Sequence, residues 1–147
     1  MTINIRKATP DDIEGIVALG LEALAKDAYP NLVVSKVKVF SLATEIISSA
    51  SNFAYVAVKD GIIVGAVCAL VHTMLFYERS QASVVQFYCK SPGAGVKLLR
   101  ELMKWVDSRP VIKMVCFTLE AKADPRIGKL LTRLGLNEEL PVYLKIM

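Results

Sequence analysis

The sequence predicts an α/β domain built on a mixed, mostly antiparallel six-stranded sheet with helices on both faces, in the order β-α-α-β-β-β-α-β-α-β. Three observations predict it. Strand-like alternation recurs at both ends of the chain and around a central run of hairpin strands; three segments repeat apolar residues at helical spacing; and helices join strands that hairpins cannot join. Ile3 to Lys7 reads as the first strand. Thr9-Pro10-Asp11-Asp12 is a helix start, with Thr9 as cap, Pro10 in the first turn and Asp12 three residues past the cap. Ile13, Ile16, Val17, Gly20, Leu21 and Leu24 then follow at helical spacing, and Pro30 forbids continuation. Ser35 caps a second helix with Phe40, Ala43, Ile47 and Ala50 on one face. Phe53 to Val58 alternates as a strand, and Lys59-Asp60-Gly61 turns it into an apolar strand from Ile62. A turn near Tyr77 to Ser80 leads to a fourth strand, best patterned from Ser83 to Cys89. Gly95, Leu99, Leu102, Met103 and Val106 share one face of a third helix that ends before Pro110. Val111 to Leu119 is a fifth strand, Pro125 to Leu134 a fourth helix with Gly135 as its stop, and Pro141 to Met147 a sixth strand.

Composition agrees with one domain over residues 1–147. The chain has 147 residues, of which 54% are hydrophobic and 22% charged, and a mean hydropathy of +0.44, which excludes disordered and low-complexity classes. The longest uncharged run, Gly61 to Tyr77, is rich in β-branched residues and follows a turn, so it reads as buried strand rather than a membrane span. No signal-like leader opens the sequence, and a soluble, cytoplasmic protein is expected. Cys68, Cys89 and Cys116 lack CxxC spacing and read as small core hydrophobes of a reducing compartment. His72, the one histidine, reads as a strand-core residue; with no second ligand at zinc spacing, no metal is expected.

Charge points to the C-terminal part. Residues 1–89 carry 7 Lys/Arg against 8 Asp/Glu, whereas residues 90–147 carry 11 against 6. A basic excess there favours an anionic ligand, with phosphate groups, nucleic acid and a plain solvated surface as the three readings. Lys90-Ser91-Pro92-Gly93-Ala94-Gly95 breaks the fourth strand immediately before the third helix. Unpaired N–H groups at a helix start, with the positive end of its dipole, accept phosphate oxygens, and glycines let the backbone approach without a Cβ. A tight turn feeding a packed helix explains the same residues. A P-loop and a dinucleotide fold are excluded, since there is no Gly-Lys-Ser/Thr and no third glycine with a downstream acid.

These segments together resemble the GCN5-related N-acetyltransferase (GNAT) superfamily. Ile5-Arg6-Lys7-Ala8-Thr9-Pro10-Asp11-Asp12-Ile13 is similar to its first strand and helix. Phe53-Ala54-Tyr55-Val56-Ala57-Val58 with Asp60-Gly61-Ile62-Ile63-Val64-Gly65 resembles its second and third strands. Lys90 to Gly95 followed by Leu98-Leu99 resembles its coenzyme A loop, Arg/Gln-x-x-Gly-x-Gly/Ala. Asp124 to Leu136, ending Arg133-Leu134-Gly135-Leu136, resembles its fourth helix. The likeness spans essentially the whole chain and extends to the small members of phage type.

The resemblance implies acetyl transfer from acetyl-CoA, as cosubstrate, to an amine on a small-molecule or peptide acceptor, without a metal. A catalytically silent GNAT-like domain that binds coenzyme A or a protein partner is the alternative. The fourth and fifth strands are expected to splay, leaving backbone near Gln86 to Cys89 to pair with the pantetheine arm. The implied cofactor residues are Phe87, Cys89, Lys90, Ser91, Gly93, Ala94, Gly95 and Val96. Compared with the family pattern, either Lys90 replaces the usual Arg/Gln or the loop is shortened. The usual acid tyrosine position falls on Leu131 and the usual Asn on Asp124. Glu78, Glu120 and Tyr88 are the catalytic candidates, with Tyr143 a further acid, and Arg126 and Lys129 could reach a 3′-phosphate; a solvated strand-end charge is the favoured reading of the two glutamates and an amphipathic sheet role that of the tyrosines, while an ordinary basic helix face explains Arg126 and Lys129 at least as well. No membrane partner is expected, nucleic acid is disfavoured because the aromatics are 7% and not interleaved with the basic residues, and the apolar excess leaves room for a homodimer face.

Overall fold

The computed structural model describes residues 2–26, 29, 31–119 and 123–147. The chain opens with strand β1, Asn4–Lys7. A short 3₁₀ turn at Pro10–Asp12 then leads into helix α1, Ile13–Lys26. The turn is anchored by Asp12, only 5% exposed, whose carboxylate accepts two bonds from the Arg6 guanidinium at 2.7 and 2.9 Å and one from the Thr9 N–H at 2.8 Å. A buried carboxylate is tolerable only when so satisfied. Helix α2, Lys36–Ser48, begins where the Ser35 hydroxyl accepts from the Lys38 N–H. Its inward side chains are Ala43 and Ile46, while Phe40 is 48% exposed and Ala50 lies past its end, so its buried face is rotated from the one the spacing predicts.

Strands β2, Phe53–Lys59, and β3, Ile62–Thr73, form a hairpin whose turn residues Asp60 and Gly61 both take positive φ, 53° and 77°. Two such residues match the twist of the flanking strands, which is what an Asp-Gly pair provides. The uncharged run from Gly61 is thus mostly a sheet strand, and no helix among the described residues is long and apolar enough to cross a membrane. Strand β4, Ser80–Cys89, leads into helix α3, Ala94–Asp107, and strand β5, Ile112–Phe117, precedes helix α4, Pro125–Arg133. Gly135, with φ 99°, stops α4.

Among the described residues the sheet has five strands in the order β1-β2-β3-β4-β5; all neighbours are antiparallel except β4 and β5. The expected sixth strand, Pro141–Met147, is not formed. Its alternation is intact, but alternation supplies a strand only where a partner edge supplies the ladder. Val142, Leu144 and Tyr143 remain exposed. Two cores flank the sheet. On one face, α1 and α2 pack Ile16, Leu19, Ala43 and Ile46 against Val56, Ala66 and Cys68. On the other, α3 and α4 pack Leu98, Leu99, Leu102 and Leu131 against Phe53, Val67 and Ala82. Burying each large aliphatic side chain contributes roughly 1.5–3 kcal/mol, so the sheet is clamped from both sides.

Candidate active site

The sheet runs out of pairing at one internal place. β4 and β5 pair from Ser80↔Ile112 to Val84↔Phe117, with a register shift between Ser80 and Gln81, and there the ladder ends. β4 continues through Val85 to Cys89 while remaining paired with β3 on its other side. The β3–β4 register shifts at the same point: Cys68 opposes Gln86 and Ala69 opposes Val84, which leaves Val85 as a bulge. A bulge bends its strand and raises local twist, and this one turns β4 away from β5. The result is a wedge edged by backbone from Val85 to Cys89, which takes in Gln86 to Cys89, the segment the sequence resemblance assigns to a pantetheine arm. On the α3 face, Phe87 and Phe117 meet edge to face across the wedge, centroids 5.5 Å apart, and narrow it there.

The free edge leads into the glycine loop. Among the hydrogen bonds of the described residues, the N–H groups of Ser91, Gly93, Gly95 and Val96 have no backbone or side-chain acceptor, and Ala94 N–H reaches Ser91 O only at 3.4 Å. Gly93 caps α3 with φ 82° and ψ −18°, a left-handed conformation that glycine adopts without penalty, and a Cβ built there meets nothing within 4 Å. Gly95 is favoured for a different reason: a Cβ there would lie 3.0 Å from the Phe87 ring, which would have to give way. Lys90 departs from expectation. Its N–H donates to Val64 O at 2.7 Å, closing the β3 ladder, and its ammonium lies 3.3 Å from Glu22 Oε1 on α1. The loop's bare donors therefore begin at Ser91, and the run from β4 to α3 is a tight turn with no inserted residues.

The remaining sequence candidates disperse. Phe87 and Cys89 face α3, and burial pushes the Cys89 thiol up to about 11 despite a bond from the Ala66 backbone. Cys68, deeper still, is pushed by burial to about 12, so neither thiol is a nucleophile at neutral pH. Tyr88 stands on the opposite, α1/α2 face, where its hydroxyl accepts from the Lys26 ammonium at 2.6 Å. Glu78 is exposed in the turn before β4, at the end of that strand remote from the loop; at ~3.3 Å per residue it is roughly 20 Å along the chain from Val85. Glu120 falls outside the described residues. Leu131 is 7% exposed within the α3-side core, so a hydrocarbon fills the position where an acid tyrosine would stand. Tyr143 projects into solvent. Arg126 is engaged by its own helix cap, with Nη2 2.7 Å from Asp124 Oδ2, and that bond lowers the Asp124 carboxyl below its ordinary value.

One group is brought together that sequence reasoning dispersed. His72 is not a core residue: it is exposed on β3, with Nε2 2.9 Å from Ser83 Oγ on β4. Gln81 Nε2 donates to the same hydroxyl at 3.1 Å and to Cys116 Sγ at 3.3 Å. Only the register, which sets His72 opposite Gln81 and Ser83 opposite Cys116, could have revealed this cluster. Two surface cavities lie outside the wedge, the second of them reaching Lys90 at the start of the loop. One, of about 270 Å³, is lined by Lys7, Tyr55, Trp105 and Arg109, and one of about 540 Å³ by Arg6, Glu14, Glu22 and Lys90.

Comparison with solved structures places this architecture. A predicted acetyltransferase from Clostridium acetobutylicum, solved with acetyl-CoA, superposes with a TM-score of 0.75 at 15% identity over 99% of this chain and 96% of that one. A ribosomal-protein-alanine N-acetyltransferase from Brucella melitensis gives 0.69 at 14% identity, covering 99% of each. An aminoglycoside acetyltransferase from an uncultured soil metagenomic sample, in complex with sisomicin, gives 0.70 at 15% identity over 99% and 95%. The chain has the GCN5-related N-acetyltransferase fold. No protein-family model matches the sequence, and no curated protein matches it.

Proposed function

We propose that the protein is an acetyl-CoA-dependent N-acetyltransferase acting on the amine of a small molecule or peptide. One observation carries the reading: β4 loses β5 after Val84, bulges at Val85, and runs unpaired on that edge into the donors of Ser91, Gly93, Gly95 and Val96 at the start of α3. An extended, amide-bearing arm ending in a diphosphate has the matching pattern, since its amides can ladder onto a strand edge and its phosphates can take helix N-terminal donors. The edge from Val85 to Cys89 spans roughly 15 Å at ~3.3 Å per residue, the reach of an extended pantetheine arm. That length puts the thioester beside Val85, where the strands part.

In this placement catalysis is largely positioning. The free β4 backbone fixes the thioester, and unpaired N–H groups near the bulge stabilise the oxyanion that develops as the amine attacks. Leu131 cannot protonate the departing thiolate, so that proton comes from solvent. The complex of the Clostridium acetobutylicum neighbour with acetyl-CoA, and the sisomicin complex of the metagenomic enzyme, support this ligand and this class of acceptor. The test is thermal denaturation with and without 1 mM acetyl-CoA, followed by thiol release with an aminoglycoside and an alanine-terminated peptide. A rise in Tm and amine-dependent thiol are expected; no shift with acetyl-CoA would remove the reading.

A further inference from the structure

We propose that His72, held by Ser83, is the base that removes the proton from the acceptor amine; the inference rests on the acetyl-transfer reading above. An amine is protonated at neutral pH and cannot attack a thioester until it loses that proton, so the site needs an acceptor for it on the side from which the amine arrives.

The hydrogen bonds around His72 run in one direction. Thr73 O lies 3.3 Å from Nδ1, and because a carbonyl only accepts, Nδ1 carries the ring proton. Nε2 is then the accepting nitrogen and takes the hydroxyl hydrogen of Ser83 at 2.9 Å. Gln81 Nε2 donates to Ser83 Oγ at 3.1 Å, which orients that hydroxyl toward the imidazole rather than away from it. The sequence Gln81 to Ser83 to His72 to Thr73 is therefore a chain in which Nε2 is the accepting nitrogen, aimed at the Ser83 hydroxyl. Cys116, bonded to Gln81, is the other titratable side chain joined to it among the described residues.

Its place in the sheet gives the chain a use. Ser83 immediately precedes Val84, the last β4 residue paired with β5, and Val85 beyond it is the bulge that opens the wedge. Ser83 opposes Leu70, whose side chain packs in the α1/α2 core, so Ser83 and His72 stand on the α1/α2 face, away from the Phe87–Phe117 contact. On that face α1 crosses β4 at Gln86, which donates to Ile16 O, and at Tyr88, bonded to Lys26. His72 remains exposed. Val85, where the wedge opens, is 43% exposed, and in the proposed step the amine arrives from the face that carries the base.

The step balances without any further reagent. The ammonium gives one proton to Ser83 Oγ as Ser83 passes its own to Nε2, leaving a neutral amine and an imidazolium. The amine lone pair forms the C–N bond, the C–S bond breaks with its electron pair on sulfur, and solvent protonates the thiolate. The product nitrogen sheds its second proton and the exposed imidazolium its extra proton to water.

The experiment compares wild type, His72→Ala and Ser83→Ala with acetyl-CoA and either of two small nucleophiles, ethylamine, which is protonated at pH 7.5, or hydroxylamine, which is not. His72→Ala should lose about a hundredfold or more in kcat with ethylamine, keep its rate with hydroxylamine, keep its KM for acetyl-CoA, and regain ethylamine turnover when imidazole is added. Ser83→Ala should fall between the two. A wild-type rate for His72→Ala with ethylamine overturns the assignment and leaves the transferase reading standing. Equal losses with both nucleophiles and no imidazole rescue also overturn it, by marking His72 as structural. Thiol release from neither nucleophile by wild type overturns it as well. In that case the acetyl-CoA melting shift reports separately whether the transferase reading has failed with it.

Discussion

Replacing Gly93 by Asp places a carboxylate where the diphosphate is proposed to lie, and replacing it by Asn provides the same shape without the charge. Neither side chain collides with anything, because a Cβ at this position meets nothing within 4 Å. Both pay the cost of a left-handed residue at φ 82°, about 1–2 kcal/mol for an ordinary side chain and less for Asn and Asp. Both variants should therefore fold, with Tm lowered by a few degrees and by similar amounts. Binding separates them. A carboxylate roughly 5 Å from a phosphate charge at an effective dielectric near 20 costs about 3 kcal/mol, or a factor of roughly a hundred in affinity at low salt. Isothermal titration with acetyl-CoA at 50 mM salt should give a Kd for Gly93→Asp about a hundredfold weaker than for Gly93→Asn. The ratio should shrink at high salt as the charges are screened. Equal Kd values for the two variants would refute the reasoning, because they would show that no phosphate approaches the Gly93 N–H.

Three further outcomes follow from the packing and the titrating groups. Cys68 is raised by burial from 9.0 to about 12, so the folded state holds its proton to higher pH than the unfolded chain. The stability this represents is complete below pH 9 and is lost between pH 9 and about 12, and denaturation curves of wild type minus Cys68→Ala should lose about 2 kcal/mol by pH 10.5. Asp12 has the opposite sign: the Arg6 hydrogen bond lowers its pKa from 3.8, so the stability it contributes is present above that value and is lost as pH falls through the lower, folded value. Asp12→Asn should cost about 2 kcal/mol at pH 7 by urea denaturation and flatten the acid limb. Gly95→Ala should destabilise by about 1–2 kcal/mol and shift the aromatic near-ultraviolet circular dichroism, because its Cβ would stand 3.0 Å from Phe87 and the Phe87–Phe117 pair must give way.

Much of the fold is legible in the sequence because its signals are local. The Thr9-Pro10-Asp11-Asp12 start, the Asp60-Gly61 hairpin turn, Ser35 as a cap and Gly135 as a stop all specify backbone conformation within a few residues, and each occurs where its chemistry requires. The last segment misleads for the complementary reason. Leu140, Val142, Leu144 and Ile146 satisfy the period of a strand, but a strand is a relation between two segments, and the exposed C-terminal residues have no ladder. Phe40 misleads similarly: its helical phase is right for α2, but which side of a helix meets the sheet is fixed by the neighbouring α1, not by spacing alone.

The site divides along the same line. Gly93 marks a left-handed turn and Gly95 a helix start packed against Phe87, and both are local properties, so the turn from β4 into α3 could be read directly. The His72–Ser83 bond joins residues eleven apart across a hairpin, and a lone histidine in an apolar stretch carries no mark of which face it will take. Register decides that: the ladder that starts at Thr73↔Ser80 sets His72 opposite Gln81, and its phase changes only at the bulge at Val85, between Ala69↔Val84 and Cys68↔Gln86. The same extra residue that ends pairing with β5 therefore fixes the facing of Ser83 and His72 relative to Gln86 and Tyr88. Deleting Val85 would remove the phase change, and with period-two alternation every β4 side chain on one side of the deletion must switch face. The wedge and the placing of Ser83 on the same face as Gln86 and Tyr88 are thus consequences of a single inserted residue, which is why neither could be read from any one motif.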